Sequence, residues 1–307
     1  MIPGIAVIYA AGLLLLWLGP SGAQDIDEAL LERFNIFSQY AGASGCDQNN
    51  NSTASFFITC DFGCPRLTDY NVTTLFEFQN RGLGDVTGFL GLDNFRKLIV
   101  LVFRGSTSSQ NSRADLNFLA YWDWLLCWNC YVHAGFWASW KSVEGDVLYA
   151  IRMALQQYPD YQLVFTGHSL GGAVATMGAT LFTFGAPKIG NAATARRTTE
   201  LTRLYRATHK SDPVPKLPLT WGFPYDYSQP SPEYWVTAEF GDDVTLDDIS
   251  YVEGINSQNG IAAAKPANVS VHMLYFGSMT VCEAPSDQCH GNIIQCILGG
   301  GIWPTKV

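Results

Sequence analysis

The segment Gly167-His168-Ser169-Leu170-Gly171-Gly172 sets a serine between two glycines at Gly-x-Ser-x-Gly spacing. The apolar run Leu163-Val164-Phe165 precedes it, and the small, helix-compatible stretch Ala173 to Ala179 follows. Strand, sharp turn, helix is the context that puts such a serine at the apex of a strained bend with its hydroxyl displayed. Gly167 and Gly171 carry no Cβ, so strand and helix can close tightly around it. Without those flanks the same letters describe an ordinary Gly-rich turn.

A serine hydroxyl is a poor nucleophile until a base takes its proton. Of five histidines, His133 and His168 precede or adjoin the turn, His209 precedes the candidate acid Asp212, and His290 lies in a Cys-flanked tail. His272 stands downstream, just before the apolar run Met273–Phe276. Asp212 lies between Ser169 and His272, in Ser211-Asp212-Pro213-Val214-Pro215, where two prolines stiffen the loop. The order serine, acid, histidine is that of α/β-hydrolases. In this reading His272 takes the Ser169 proton, Ser169 attacks an ester carbonyl, and Asp212 orients and stabilises the imidazolium. Asp226, Asp242, Asp243, Asp247 and Asp248 are rival acids. The cluster at 242–248 also reads as a solvated acidic turn or, less well, as a calcium loop. An oxyanion requires preorganised N–H donors. The backbone N–H of Leu170 is one candidate. Phe103-Arg104-Gly105-Ser106 ends an apolar run and offers a second through Ser106, or is a simple strand-to-loop turn.

These groups need a scaffold. Asp25-x-x-Glu28 resembles a capping box opening an amphipathic helix with Ile26, Ala29, Leu30, Phe34 and Phe37 on one face. Val86 to Leu92 alternates like a strand. Leu98 to Phe103 is apolar throughout, as in a strand covered on both faces. Phe136, Trp140, Val143, Val147, Ile151, Ala154 and Tyr158 recur at three- and four-residue spacing, which marks a long helix ending near Pro159. Gln162–Phe165, Leu181–Phe184 and Leu201–Ala207 read as strands, the last with Arg203 and Arg206 on an exposed or paired face. Residues 208–232 form a Pro-rich, non-repetitive loop. Strands alternating with helices predict an α/β fold with a mostly parallel sheet. The carboxyl edge of that sheet is then where Ser169 and Asp212 meet.

Composition narrows the function. The net charge of −9 disfavours nucleic acid, and it makes lipid contact apolar rather than electrostatic. Residues 1–23 read as a secretory signal peptide with Ser21-Gly22-Ala23 as cleavage site; because the first residues hold no Lys or Arg, a signal anchor is the alternative. The stretch is too short for a comfortable span, and no stable membrane span is expected. Eight cysteines in a secreted chain imply disulfides. Cys127-x-x-Cys130 reads as a small disulfide loop rather than half a zinc site, since no second pair of ligands lies at zinc spacing. No metal or cofactor is expected. Sequons stand at Asn50, Asn51, Asn71 and Asn268. The domain reading is residues 24–284 as one unit and 285–307 as a tail.

Val86-Thr87-Gly88-Phe89, Leu98–Ser106, Gly167–Gly172, Thr183-Phe184-Gly185-Ala186-Pro187-Lys188-Ile189-Gly190-Asn191, Ser211–Pro218 and His272-x-x-Tyr275-Phe276-Gly277 together resemble the secreted fungal class 3 lipases. The resemblance runs from about residue 25 to about residue 282. It implies a lipase-type α/β-hydrolase fold and the triad Ser169–Asp212–His272. It also implies oxyanion donors at Ser106 and Leu170, and a lid starting just after Ser106 and running to about Phe118. It suggests the pairs Cys46–Cys282, Cys60–Cys64 and Cys127–Cys130, leaving Cys289 and Cys296 to close a tail loop.

Three departures from that family stand out. Only 15 positions separate Ser169 from Phe184, fewer than related members place there, while a parallel crossover needs about a dozen residues. Either the helix after Ser169 is cut to about two turns, or a piece of the protein is missing. The lid stretch Ser108–Asn117 is polar. Phe118–Trp128 is apolar and aromatic, with Trp122 and Trp124 as candidate substrate or lid contacts; it is either an exposed lipid-contacting ridge or an inward-packed segment. The leading expectation is a secreted serine ester hydrolase acting on acylglycerols. A feruloyl-esterase-like hydrolase and a catalytically defective lipase relative are the alternatives. The partner expected is a lipid or small ester, at an oil–water interface or free; the oligomeric state is not legible.

Overall fold

A computed structural model describes residues 26–51, 56–61, 63–82, 84–106, 119–176, 178, 180–239, 241–265 and 268–282. The signal peptide expected at 1–23, the expected Asp25 cap, the expected lid after Ser106 through Phe118, and the expected Cys289–Cys296 tail loop lie outside the described residues.

The first helix, α1 (Glu28–Ala43), is capped by Asp27, whose side chain accepts from the Leu30 N–H at 2.8 Å. A four-residue turn, α2 (Pro65–Thr68), leads to three strands: β1 (Thr73–Arg81), β2 (Val86–Asp93) and β3 (Leu98–Phe103). Short strands β4 (Ala120–Trp122) and β5 (Tyr131–His133) come next, then the long helix α3 (Ala134–Gln157) and β6 (Gln162–His168). Helix α4 (Leu170–Ala175) leads to β7 (Thr180–Phe184), β8 (Gly190–Asn191), α5 (Ala192–Leu201) and β9 (Arg203–His209). The chain ends through β10 (Tyr227–Ser228), β11 (Glu233–Val236), β12 (Ile249–Val252) and the hairpin β13 (Leu274–Tyr275), β14 (Gly277–Ser278).

Eight strands form one sheet in the order β1-β2-β3-β6-β7-β9-β11-β12. Its centre, β3 through β11, is parallel, and both edges are antiparallel. Strand β3 shows why its sequence is apolar at every position. Ile99, Leu101 and Phe103 face one core with α3 and α4, while Val100 and Val102 face the other with α1. Phe34 of α1 anchors the second core, stacked on Phe276 at 4.8 Å and edge-on to Phe182 at 5.5 Å and Tyr234 at 5.1 Å.

Two boundaries differ from the sequence reading. Leu201 closes α5, so the strand expected from Leu201 begins at Arg203. Arg203 is exposed, whereas Arg206 is buried and paired with Glu233 at 3.5 Å. The segment expected as helix from Ala173 to Ala179 is instead Leu170–Ala175, six residues long.

The short crossover closes because β7 is also short. Strand β6 pairs with β3 along Gln162–Gly167, but with β7 only from Phe165 to His168. The chain must therefore descend only from His168 to the level of Phe165, roughly 10 Å of strand. Six helical residues rise about 9 Å, so one short helix covers the distance. Descent to Gln162 would take about 20 Å and a helix twice as long. The chain then turns under the sheet at Gly178, where a Cβ would lie 2.3 Å from Cγ of Phe165. Only glycine lets the backbone pass over that ring.

Phe34→Ala should lower unfolding stability by about 3–5 kcal/mol, the range for emptying a buried aromatic site. Equilibrium urea unfolding checks this; a loss under about 1 kcal/mol would mean α1 is not bound to the sheet through this ring.

Candidate active site

Ser169 joins β6 to α4 with φ 55° and ψ −128°, a positive-φ conformation that a non-glycine residue adopts only when its surroundings impose it. Its N–H donates to the Phe184 carbonyl at 2.9 Å, which ties the bend to the end of β7. Gly171 lies against β3 so closely that a Cβ would meet the Phe103 oxygen at 2.1 Å. The glycine spacing thus reports a real backbone contact between α4 and the sheet.

Asp212 follows β9, its N–H donating to the His209 carbonyl at 2.9 Å. His272 sits in a 3₁₀ turn, Ser270–Met273, before β13. Its Nδ1 meets Asp212 Oδ2 at 2.7 Å. Two further donors reach the same carboxylate: the Tyr275 hydroxyl at 2.6 Å and the Val214 N–H at 2.8 Å. Burial alone would raise the Asp212 carboxyl. The charge on His272, then the hydrogen bonds from His272, Tyr275 and Val214, hold it below its ordinary value. Burial, and next the Asp212 charge, push the Tyr275 phenol well above its own, so it stays a donor.

His168 brings Ser169 to this pair. Its ring lies 4.4 Å from that of His272, and its Nε2 contacts the His272 carbonyl oxygen at 2.7 Å. A carbonyl only accepts, so the His168 proton is on Nε2. Burial, followed by the charge on His272, pushes the His168 imidazole down to about 3, which keeps it neutral. His209 braces the other side, with Nδ1 on the Leu274 carbonyl at 2.6 Å and Nε2 on the Ala238 carbonyl at 3.1 Å. Ser169, Asp212 and His272 are all buried.

The loop after β3 reaches the bend as well. A Cβ on Gly105, the residue before Ser106, would lie 3.5 Å from the Ser169 Cβ, and Leu170 is the first residue of α4. Of the rival acids, Asp248 is engaged in capping the turn at Thr245, and Asp226 lies against α5, with its Oδ2 3.4 Å from the Ala192 N–H. The sequence reading passed over three positioning groups: Tyr275, His168 and His209. The signals were present as His-x-x-Tyr spacing, a histidine inside the Gly-x-Ser-x-Gly bend, and a histidine closing β9.

Over residues 100–221 the chain matches the family described as Lipase (class 3). It is 32% identical over 282 residues to secreted mono- and diacylglycerol lipase A of Penicillium cyclopium, with 87% of this chain and 91% of that one covered. The chain belongs to the class 3 lipases. Secreted mono- and diacylglycerol lipase 1 of Fusarium solani is 32% identical over 266 residues, covering 82% and 78%. The crystal structure of the mono- and diacylglycerol lipase from Aspergillus oryzae superposes with a TM-score of 0.76 at 32% identity, covering 82% of this chain and 98% of that one. This lipase is an ester-hydrolysing, secreted enzyme with the α/β-hydrolase fold. Among the described residues no helix is long and apolar enough to cross a membrane.

Disulfides close Cys46–Cys282, Cys60–Cys64 and Cys127–Cys130. Asn50 is a correction. Its side chain is buried, and its amide nitrogen donates to the Ser44 carbonyl at 2.8 Å and the Cys46 carbonyl at 2.9 Å, so a glycan has no room there. Asn51, Asn71 and Asn268 are exposed. Between Leu119 and Trp128 the large side chains of Leu119, Tyr121, Trp122, Trp124, Leu125 and Trp128 are exposed, and Leu126 is buried with Asp123, so the ridge reading holds for most of the segment.

Because folding lowers the His168 pKa from 6.5 to about 3, the unfolded chain binds more protons between those values. Stability should then fall with acidification across that window, by about 1.4 kcal/mol per pH unit from this residue. His168→Gln keeps a donor and removes the titration. Urea midpoints at pH 7 and pH 4.5 should therefore fall further in the parent than in the variant; parallel losses would show that His168 titrates normally.

Proposed function

We propose that this lipase hydrolyses acylglycerol esters through Ser169 as nucleophile, His272 as general base and acid, and Asp212 as the group that orients the imidazole. The observation that carries the reading is the 2.7 Å Asp212–His272 hydrogen bond set beside a serine held at positive φ. With Nδ1 protonated and donating to Asp212, the basic lone pair of a neutral His272 is on Nε2. That nitrogen takes the Ser169 proton as Oγ attacks the ester carbonyl. The imidazolium then protonates the leaving glycerol oxygen, and water repeats the sequence on the acyl-enzyme. The N–H of Leu170 and the backbone or hydroxyl of Ser106 are assigned to the developing oxyanion. Acylglycerols are favoured over hydroxycinnamate esters by the similarity to mono- and diacylglycerol lipases. The retained α4 and the intact Asp212–His272 pair speak against a defective relative. Asn51, Asn71 and Asn268 are the proposed glycan positions, open to peptide mapping.

A fluorophosphonate probe should label the parent and not Ser169→Ala. Asp212→Asn should keep the fold and lose roughly 10⁴ in kcat, as the matching change does in serine proteases. Hydrolysis rates on monoolein, diolein, triolein and methyl ferulate complete the test. Faster cleavage of methyl ferulate than of any oleoyl glyceride would overturn the substrate assignment; an unlabelled but folded parent would overturn the nucleophile.

A further inference from the structure

Beside the site the chain builds an apolar outcrop. Between β4 and β5 the chain turns tightly, closed by Cys127–Cys130 and by Asp123. The Asp123 carboxylate is buried and accepts from the Leu125 N–H at 3.2 Å and the Leu126 N–H at 3.3 Å, while its own N–H donates to the Cys130 carbonyl at 2.9 Å. Leu126 points inward to the core. The polar group and one leucine thus hold the loop from below, and the large side chains go outward. Trp124 is 63% exposed and Trp128 77%, with Trp122 and Leu125 also exposed. Trp122 donates its indole N–H to the Trp128 carbonyl at 2.8 Å, and the two indoles meet edge-on at 5.6 Å. The outcrop is therefore preshaped.

A second apolar segment stands next to it. Leu219, Trp221 and Phe223 are exposed in the loop that follows Asp212, and Phe223 packs edge-on against Tyr131 of β5 at 5.1 Å. Both segments hang from the small sheet β10-β8-β5-β4. That sheet grows from the carboxyl end of β7, the same end of the sheet at which Ser169 stands.

We propose that Trp122, Trp124, Leu125 and Trp128, with Trp221 and Phe223, form a fixed docking surface for an uncharged acylglycerol phase. This names a substrate surface for the catalytic reading above and rests on it. Charge selects the occupant. From Leu119 to Trp140 the single ionisable acid or base other than histidine and tyrosine is Asp123, which is buried; from Leu217 to Tyr225 there is no charged residue. The chain as a whole carries −9. Such a surface offers nothing to anionic headgroups or to a charged protein partner. Exposed indoles suit a boundary between ester carbonyls and acyl chains, where the ring is apolar and its N–H meets an acceptor. Exposed large apolar side chains grouped this way mark a contact surface.

The test uses full-length Ser169→Ala protein floated with triolein droplets. It also uses vesicles of zwitterionic phosphatidylcholine and of anionic phosphatidylglycerol. The double change Leu125→Ser, Trp128→Ser should cut droplet partitioning at least about tenfold, as expected for two large apolar groups withheld from oil. In the active background the same pair should leave kcat/KM on dissolved para-nitrophenyl butyrate unchanged, which also reports that the variant folds. Trp128→Ser alone should give an intermediate loss. Equal flotation of parent and double variant would overturn the proposal. So would preference for anionic vesicles, or a parent dimer that the double variant dissociates while droplet binding holds. An inactive parent that still binds droplets through these residues would sink the catalytic reading and leave the docking surface standing.

Discussion

The backbone of Ser169 is the constraint on which the site depends. A non-glycine residue at φ 55° costs on the order of 1–3 kcal/mol, and it persists only where neighbours leave no alternative. Here the neighbours are strands. The Ser169 N–H is held by Phe184 at the end of β7, and α4 is pressed against the Phe103 carbonyl at the end of β3. Three parallel strands in register thus present one side chain at their common carboxyl edge. Loosening any of them would let the bend relax and the hydroxyl turn away.

The proposed acid and base are fixed by a different device. Asp212 is fully buried, which by itself would favour the neutral carboxyl. It remains ionised because three donors converge on it, from His272, Tyr275 and Val214. Those donors come from the Pro213–Pro215 stretch, from the 3₁₀ turn Ser270–Met273 and from β13, so the carboxylate also fastens the His272 turn to the end of β9. His209 repeats the fastening through two carbonyls, Leu274 and Ala238. His168 supplies the last link, from the serine bend itself to the backbone of His272. Charge, tautomer and position are set by the same few contacts.

Much of this was legible in the sequence because local pattern carries it. Apolar runs gave β3 and β6, helical spacing gave α1 and α3, and the glycines around Ser169 announced the bend. The residues Ser169, Asp212 and His272 could be picked out by order and flanks. What pattern could not convey was partnership across the fold. Tyr275 and His209 act on residues more than sixty positions away, at 63 and 65, and a linear reading has no access to that. The burial of Asn50 is of the same kind: its sequon is intact, but its amide is committed to two carbonyls of the turn that follows α1. The start of β9 differs from the sequence reading because Leu201 is apolar in either state; it ends a helix closed by Thr202, whose N–H and hydroxyl both donate to the Thr198 carbonyl.

The short crossover spares the edge of the sheet that the proposed chemistry uses. Chemistry needs the carboxyl end of β7, where Phe184 holds the serine bend and Gly185 begins the turn toward Asp212. It does not need the amino end of that strand. Shortening the connection therefore removes length at the bottom of β7 and leaves the register at the top, Gly167 with Thr183 and His168 with Phe184, undisturbed. The deficit falls on α4, which keeps its first turn, where Leu170 and Gly171 brace the bend, and gives up its far end. A helix that begins at the proposed nucleophile can be trimmed from its C-terminus at the expense of sheet coverage. The same trimming from its N-terminus would abolish the bend. With α4 ending at Ala175, the chain keeps both the bend at Ser169 and the Asp212–His272 hydrogen bond.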